Sequence, residues 1–585
     1  MRSTAPRALL ATASIAVALA AADTYVVVLA LTDMMAGVGL GIDALQRATP
    51  IISGFLLGYV AVLPLIGRIS DLTSRQRVLL GCLLVFIGGS ALTALAHDLP
   101  TLVAGRVVQG VGGGGLVPAT LAIVGELWPP DRRGVPLGVV GAVQELGSVL
   151  GPLLGALVLA IADWRMIFWL NAALGVLLAL AIHAMSRPPA SSSRLSTTVR
   201  SSAGGAAGRE DPHPSPGRAN HRGRRIIAAA LWLLGAAVTT LALIAPDSLV
   251  TSVDYGEPFI PFGDTTARLL TPVGAVGLAL LLVAAVLSGL AAWPLLRHAD
   301  LPGALLLGGA LGCVIITFAA AEPEKEVVGP LGLALLPIGL VLAGAYIVHQ
   351  RRAANPVVPR GTLHRRSIVA LSVSLLVGVA LVAVVVDVPV LARLTYTDSQ
   401  VSAALVLVRF LLAVPVGALL GGVLLRRFGD GPVAAVGLAL TAGGLGVMVS
   451  WGAGSLATAW SYVVLIAVGL GVGLALAPVN NAVLADTDPG LHGTSSSLVV
   501  VARMIGMVVG LALLTGIGLH AYYREVAALP DKTDSDALLG AGLVQVHAVF
   551  LGAAIAAAIG AVLALGLRRG PVRASGVAER PITNR

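Results

Sequence analysis

The sequence predicts an all-α integral membrane protein, on the evidence of its composition and its long apolar runs. Hydrophobic residues make up 57% of the 585 residues and charged residues only 11%. A soluble globular protein carries about 25% charged residues, so this chain has too few charges to cover a water-facing surface. The runs are long enough for helical crossings of about 20 residues, rather than the roughly ten-residue strands of a β-barrel. This composition excludes soluble enzymes, nucleic-acid-binding modules and secreted disulfide scaffolds.

Sixteen apolar runs are candidate membrane-spanning helices, and fourteen spans is the alternative count. An even number of spans places both termini on the same side of the membrane. The runs occupy residues 9–31, 51–66, 78–96, 102–125, 136–161, 166–185, 226–245, 269–296, 302–319, 331–348, 367–386, 402–425, 433–451, 460–484, 494–517 and 544–567.

The distribution of lysine and arginine between the predicted loops sets the orientation in the membrane. With the N-terminus in the cytoplasm, 28 of the 38 Lys and Arg residues fall in cytoplasmic segments, seven fall on the opposite side and three lie within spans. Cytoplasmic loops of membrane proteins carry such an excess of positive charge. We therefore expect a multi-pass protein of the bacterial inner membrane with both termini in the cytoplasm.

The spans divide into two groups of six with four extra central spans between them. Two six-helix bundles on either side of a cytoplasmic connection are the organisation of a pseudo-symmetric transporter. The connection is rich in Arg, Ser, Gly and Pro and cannot build a core, so we expect it to be disordered. The predicted units are an N-terminal bundle at 1–185, the linker at 186–225, an additional span pair at 226–296, a second span pair at 302–348, a C-terminal bundle at 367–567 and a cytoplasmic tail at 568–585.

The loop after the second span carries an ordered motif, Gly-x3-Asp-x3-Arg-x-Arg. Its members are Gly67, Asp71, Arg75 and Arg77. Asp71 precedes the third span, where a carboxylate favours a helix N-terminus. The two arginines can pair with carboxylates or carbonyls on a neighbouring helix end, so the cluster can form in one conformation and break in another. An ordinary positively charged loop would explain the arginines but not the spacing.

The fourth and fifth spans contain glycine-rich stretches. Residues 110–115 match GxGxxG, but they lie inside an apolar helix without a preceding strand, so the glycines indicate close helix packing and not nucleotide binding. In the fifth span three glycines recur every four residues and make one flat face, and a proline inside this face predicts a kink. The members of this second motif are Gly147, Gly151, Pro152 and Gly155.

A few ionisable residues lie inside the spans, where charge is expensive and therefore indicates function. Asp23 and Glu145 are the candidate proton carriers, because a carboxylate can alternate between a buried neutral form and a form paired with arginine. A fixed salt-bridge partner remains the alternative for Asp23, and a hydrogen-bonded gate remains the alternative for Glu145. The candidate counter-charges are Arg106, Arg503 and, more weakly, Arg409, which could merely reach towards the interface; Asp387 is a secondary candidate.

These motifs, in this order, resemble the major facilitator superfamily, and the glycine–proline motif of the fifth span is typical of its exporters. Extra central spans resemble the drug/proton antiporter branch. A closer resemblance is to the mycobacterial exporters of triacylglycerides and lipoglycans, which implies a lipid substrate and a periplasmic lipid-carrier lipoprotein as partner. The stretches that look alike are 23–28, 144–153, 386–388, 415–418 and 499–507.

The sequence therefore predicts a proton-coupled exporter that moves lipid or other lipophilic molecules by alternating access. We expect no cofactor, because no nucleotide or metal motif is visible and an ion gradient must then supply the energy. A multidrug/proton antiporter is the first alternative, and a non-transporting membrane scaffold or sensor is the alternative of another class. The expected partners are the lipid or lipophilic substrate, membrane lipids and the lipoprotein; nucleic acid is not an expected partner, and we expect a monomer.

Overall fold

The structure is a computed structural model that describes most of the chain. It covers residues 4–41, 45–185, 216–245, 257–262, 267–319, 332–360, 362–397, 399–531 and 533–567. Within those ranges sixteen helices are long and apolar enough to cross a membrane, and there is no strand. This confirms the predicted all-α architecture with sixteen candidate spans. The predicted tail and most of the predicted linker lie outside the described residues.

The sixteen long helices are numbered in chain order, with the bounds that the structure gives them. They are α1 (Thr4–Gly37), α2 (Leu45–Leu72), α3 (Arg75–Ala94), α4 (Leu99–Leu127), α5 (Gly134–Leu159), α6 (Arg165–Met185), α7 (Pro216–Ile244), α8 (Pro272–His298), α9 (Leu301–Ala319), α10 (Gly332–Arg352), α11 (Arg365–Thr395), α12 (Gln400–Phe428), α13 (Asp430–Met448), α14 (Ala459–Ala485), α15 (His492–Ala528) and α16 (Ser535–Ala564).

The first six and the last six helices form two bundles with the same internal arrangement. In each bundle the first helix packs on the fifth, the second on the fourth, and the third on the fourth and the sixth. Thus α1 contacts α5 as α11 contacts α15, and α2 contacts α4 as α12 contacts α14. The repeated pattern of contacts is the pseudo-symmetry that the two groups of six spans predict.

Glycines allow the helices of the first bundle to approach one another closely. A methyl group on Gly110 or Gly114 would overlap the backbone of α2, and one on Gly112 would overlap the backbone of α3. Small residues at such contacts let helix backbones approach within van der Waals distance in a membrane. The GxGxxG run at 110–115 therefore serves helix packing.

The four central helices form two separate pairs. Helices α7 and α8 pack mainly on each other, whereas α9 and α10 pair and α9 also lies against α2 and α15. Helix α7 begins at Pro216, so residues 216–225, which the sequence assigned to the linker, are helical instead. The physical reason is that extending an existing apolar helix adds one backbone hydrogen bond for each residue fixed, without a new nucleation cost.

The two bundles meet through their second and fifth helices. Helix α2 contacts α15, α5 contacts α12, and α4 and α14 make further contacts with α15 and α5. We call the end of the molecule where α2 ends and α3 begins the gate end; the sequence predicts that it faces the cytoplasm. At the gate end, glycines bring both the α2–α15 and the α5–α12 pairs into close contact. A methyl group on Gly67 would overlap α15, and one on Gly134 would overlap α12.

Candidate functional site

Asp23 of α1 lies at the centre of a buried polar cluster inside the first bundle. Its Oδ2 accepts a hydrogen bond from Arg106 Nη1 at 2.5 Å. Its Oδ1 accepts from Gln109 Nε2 at 2.9 Å and from Asn171 Nδ2 at 2.6 Å. The Asp23 side chain is fully buried and that of Arg106 is 1% exposed. Three donors from two other helices therefore hold the carboxylate in one place.

Arg106 of α4 is fixed as firmly as its partner. Its Nε donates to the carbonyl of Ile51 at 3.3 Å, and Nη1 also donates to Gln109 Oε1 at 2.5 Å. The guanidinium lies over the ring of Phe55 at 4.4 Å and near that of Phe168 at 5.7 Å. Buried charges are stable in proteins when they are paired and hydrogen-bonded in this way.

Glu145 of α5 and Arg503 of α15 form a second buried ion pair, which joins the two bundles. Glu145 Oε1 and Arg503 Nη1 are 3.9 Å apart, beyond hydrogen-bond length, and the side chains are 8% and 9% exposed. The pair is therefore looser than the Asp23 cluster. Because its members belong to different bundles, any movement of one bundle against the other changes their separation.

The Glu145–Arg503 pair lines a cavity of about 60 Å³ between the bundles. Most of the other lining residues are apolar or aromatic, and they include Tyr25, Tyr59, Met504 and Met507. A cavity of this size with polar groups in its wall has room for a few water molecules. The cavity therefore combines an apolar wall with one titratable carboxylate.

Asp71 binds a different helix N-terminus from the one that the sequence predicts. The prediction that it serves the start of α3 is wrong: Asp71 lies in the last turn of α2 and its carboxylate reaches α15. Oδ1 accepts from the Gly493 amide at 2.6 Å, and Oδ2 accepts from the Thr494 amide at 2.9 Å and hydroxyl at 2.6 Å. An anion is favoured there by the unpaired amides and dipole of α15. Asp71 therefore connects the two bundles.

The two arginines of the loop motif differ in their surroundings. Arg75 Nη1 pairs with Glu126 Oε2 at 2.7 Å, and Nη2 donates to the carbonyl of Pro489 at 2.6 Å. Arg75 thus links α3, α4 and the segment before α15, whereas Arg77 is exposed. Glu126 lies near a helix end and gives no sign in the sequence that it is part of this contact.

Helix α5 contacts different partners along its length. Near the gate end Gly134 approaches α12 of the other bundle. Further along, the predicted glycine face of Gly147, Gly151 and Gly155 packs against α1 of the same bundle. The helix continues as one element through Pro152. The glycine motif therefore fixes α5 on the helix that carries Asp23.

The remaining candidates lie in the second bundle. Arg409 Nη1 donates to Ser461 Oγ at 3.2 Å, and its guanidinium lies 3.5 Å from the ring centroid of Tyr462. Arg409 thus packs on the start of α14, and its role as a counter-charge stays a prediction. Asp387 is buried in α11 and is 4% exposed.

Sequence reasoning missed a second charged cluster at the gate end of the second bundle. Arg366 pairs with Asp486 at 2.7 Å and with Asp430, and Asp430 Oδ1 also accepts from Asn481 Nδ2 at 2.8 Å. Asp430 follows the second helix of its bundle, as Asp71 closes the second helix of the first. Comparison of the two repeats could have found it.

Arg133 is another residue at the gate end that the sequence did not single out. Its Nη2 donates to the Gly125 carbonyl at 2.7 Å, and its Nη1 to the Leu484 carbonyl of the other bundle at 3.4 Å. Burial and the nearby positive charge of Arg75 lower the pKa of Arg133 from its ordinary value. Arg133 thus adds a third connection between the bundles at this end.

The chain is similar in sequence to curated transporters over most of its length. A triacylglyceride transporter of Mycolicibacterium hassiacum is 34% identical over 532 residues, which cover 88% of this chain and 81% of that protein. A triacylglyceride transporter of Mycobacterium tuberculosis is 32% identical over 587 residues, covering 96% of this chain and 94% of that protein.

Family and fold comparisons agree with these relatives. The human organic anion transporter of known structure superposes with a TM-score of 0.53 at 15% identity, covering 96% of this chain and 99% of that one. A proton:xylose symporter gives a TM-score of 0.51 at 12% identity, covering 94% and 95%. At such identities the likeness shows the fold alone. The profile described as Major Facilitator Superfamily matches residues 13–349 and 301–511. The chain therefore belongs to the major facilitator superfamily, and it is a multi-pass membrane transporter, not an enzyme.

Proposed function

We propose that this transporter is a proton-coupled exporter that moves triacylglyceride-like lipid or other lipophilic molecules out of the bacterial inner membrane by alternating access. The observation that carries the proposal is the Glu145–Arg503 pair, which crosses between the bundles in the wall of a mainly apolar cavity. An apolar wall suits an apolar substrate. The relatives named as triacylglyceride transporters support the same substrate class.

The contacts at the gate end support alternating access as the mechanism. Asp71, Arg75 and Arg133 all bind groups that belong to the other bundle or to the segment leading into it. These contacts hold the gate end closed in the conformation described. Opening the gate end requires their rupture, while the contacts inside each bundle can persist.

Glu145 couples the proton gradient to this movement. An apolar substrate brings no charge, so the protein must supply the group that titrates. Protonation of Glu145 removes its attraction to Arg503 and weakens the contact between the bundles, and deprotonation restores it. One proton crossing 100 mV supplies about 2.3 kcal/mol and one pH unit about 1.36 kcal/mol more. Together these support a neutral-substrate gradient of a few hundredfold.

The role of Asp23 as a second proton carrier stays a prediction. Its three hydrogen-bond donors hold the carboxylate in one place in the conformation described, which also fits the alternative of a fixed salt-bridge partner. For Asp23 to lose these hydrogen bonds and take up a proton, α1, α4 and α6 would have to move apart. Glu145 needs no such rearrangement within its bundle.

The proposed orientation places the gate end and both termini in the cytoplasm, following the excess of Lys and Arg on that side. A cysteine at Pro258, which lies between α7 and α8, should then react with a membrane-impermeant reagent added to intact cells. The native cysteines Cys82 and Cys313 are buried and give little background. Labelling only after permeabilisation would reverse the orientation or remove the extra span pair from the membrane.

A multidrug/proton antiporter is the second candidate, and the composition of the cavity wall favours it in part. Met504 and Met507 are flexible and polarisable, and with Tyr25 and Tyr59 they offer a wall that could contact planar lipophilic compounds of different shapes once the cavity widens. A periplasmic lipid-carrier lipoprotein is the partner that lipid export would need, because a triacylglyceride has negligible solubility in water.

Transfer of a fluorescent triacylglyceride from proteoliposomes to acceptor vesicles, with and without an imposed pH gradient, tests the proposal. We expect gradient-dependent transfer that Glu145→Gln abolishes. The matched control is Asp131→Asn, which removes an exposed carboxylate on the loop before α5. Gradient-dependent uptake of a lipophilic cationic dye in place of lipid would favour the drug antiporter. Transfer by Glu145→Gln at the wild-type rate would contradict coupling through this residue.

A further inference from the structure

Asp300 occupies an unusual position between the two central helices α8 and α9. It lies at the gate end, is 5% exposed and has a backbone φ of +60°. A residue other than glycine rarely adopts this left-handed conformation, although aspartate and asparagine tolerate it best. Such a conformation persists only where the surrounding contacts impose it.

The carboxylate of Asp300 collects three donors from separate segments. Oδ1 accepts from the Gly303 amide at 3.2 Å and lies 2.6 Å from His349 Nε2 of α10. Oδ2 accepts from the Val357 amide at 2.9 Å. Capping the N-terminus of α9 would explain Gly303 but neither of the other two contacts. Asp300 therefore also ties down the segment that follows α10.

That segment carries two buried valines that join an apolar cluster with α9. Val357 is fully buried and Val358 is 6% exposed, and together with Ala304 of α9 they form a small apolar cluster. The cluster packs against Leu307 of α9 and Tyr346 of α10, and also against Leu65 of α2 and Leu498 of α15. The last two contacts lie within about two turns of the place where Asp71 binds the start of α15.

Helices α2 and α15 belong to different bundles, so opening the gate end must separate the two surfaces against which this cluster packs. The cluster formed by Ala304, Val357 and Val358 can contact both surfaces only while the gate end is closed. We propose that Asp300 is a positioning residue of the transport cycle, which holds Val357 and Val358 in the cluster with Ala304, so that the cluster acts as a latch between α2 and α15 and stabilises the closed gate. The inference rests on the proposed alternating access but on neither the substrate nor the coupling ion.

Distances between spin labels on the full chain in lipid nanodiscs test the latch. Labels at Arg132 and Arg427, which are exposed at the gate end of opposite bundles, report its opening once Cys82 and Cys313 are replaced by alanine. In Asp300→Asn the side chain keeps its size and the backbone still tolerates a positive φ. The amide has only one acceptor oxygen, whereas both oxygens of the Asp300 carboxylate make contacts. We expect the ratio of open to closed gate to rise about tenfold, which corresponds to about 1.4 kcal/mol.

Two further variants separate the latch from a general loss of stability. Asp98→Asn is the matched control, because Asp98 is also buried and caps α4 through the Thr101 amide at 2.9 Å, without touching the other bundle. It should leave the distance distribution unchanged. Val357→Ala should raise the open fraction, and combined with Asp300→Asn it should add little, as expected for two residues that act through one contact.

An unchanged distribution in Asp300→Asn, or an equal rise in Asp98→Asn, would overturn the latch. The measurement separates this failure from failure of the proposed function. If the distribution stays unchanged while the wild type still transfers lipid along the gradient, the latch is wrong and export stands. If Asp300→Asn opens the gate while the wild type transfers neither lipid nor dye, the latch stands and the proposed transport is wrong.

Discussion

Among the described residues, one buried ion pair lies within the first bundle and another joins that bundle to the second; the two pairs differ in length and in hydrogen bonding. Asp23 and Arg106 are 2.5 Å apart, and Gln109 and Asn171 complete the hydrogen bonds of the carboxylate. Glu145 and Arg503 are 3.9 Å apart and face a cavity. The first pair joins two helices of the same bundle, whereas the second joins helices of different bundles, which would move apart in the proposed alternating access.

This difference indicates two uses of the same chemistry. A buried pair whose hydrogen bonds are complete is costly to break, because removing one partner leaves an uncompensated charge. A long pair beside a water-sized cavity loses less when one member is neutralised, so it can serve as a switch. For the proposed proton coupling, the completeness of the hydrogen bonds therefore separates Glu145 from Asp23, which burial alone does not.

The largest expected effect is on stability, from Asp23→Ala. Because Arg106 would remain buried without its counter-charge, we expect a loss of about 3–5 kcal/mol in the free energy of unfolding. Glu145→Ala should cost about 1 kcal/mol, since Arg503 can contact water in the cavity. Thermal unfolding of both purified variants in the same detergent measures the contrast. Equal shifts in the two variants would remove the distinction between a fixed and a switching pair.

Replacing each arginine by lysine should sharpen the contrast. Arg106 uses Nε and Nη1 towards three acceptors and lies over two rings, an arrangement that a lysine ammonium cannot reproduce. We expect Arg106→Lys to lose at least tenfold in gradient-driven lipid transfer. Arg503→Lys should keep most of it, because a charge about 4 Å from Glu145 is all that this pair needs. A folded Arg503→Lys variant without lipid transfer would contradict the claim that this pair needs only a positive charge near Glu145.

A smaller effect is expected from Asp71→Asn. The asparagine keeps one acceptor for the amides of α15 but loses the interaction of a negative charge with the helix N-terminus, worth about 0.3–1 kcal/mol. We expect lipid transfer to fall several-fold while thermal unfolding stays close to that of the wild type. Normal transfer would reduce the motif to a loop that only sets the orientation in the membrane.

The smallest effect is expected from Arg77→Gln. Arg77 is exposed, so its removal should change the free energy of unfolding by less than about 0.5 kcal/mol. Arg75→Gln, its matched partner in the same motif, should slow lipid transfer because it loses Glu126 and the Pro489 carbonyl. If both variants transfer lipid equally, the contacts of Arg75 at the gate end carry no function.

The sequence by itself determined the helices, their number and the two-bundle organisation. These follow from local properties, namely the length of each apolar run and the backbone hydrogen bonds that a bilayer forces to close within each segment. It also determined which residues are candidates for a functional role, because a charge such as Arg106 or Glu145 inside an apolar run is costly wherever it points. The glycine face of α5 was likewise visible as a repeat of four residues.

Only the tertiary structure decided which charged residues meet and which bundle each contact serves. Asp23 and Arg106 lie 83 positions apart, and their partners Gln109 and Asn171 look like ordinary polar residues in the sequence. Asp71 precedes α3 along the chain yet binds α15, and Asp300 holds a segment that lies beyond the next two helices. Such pairings depend on how distant helices pack and on which conformation is populated, and a local sequence pattern contains neither.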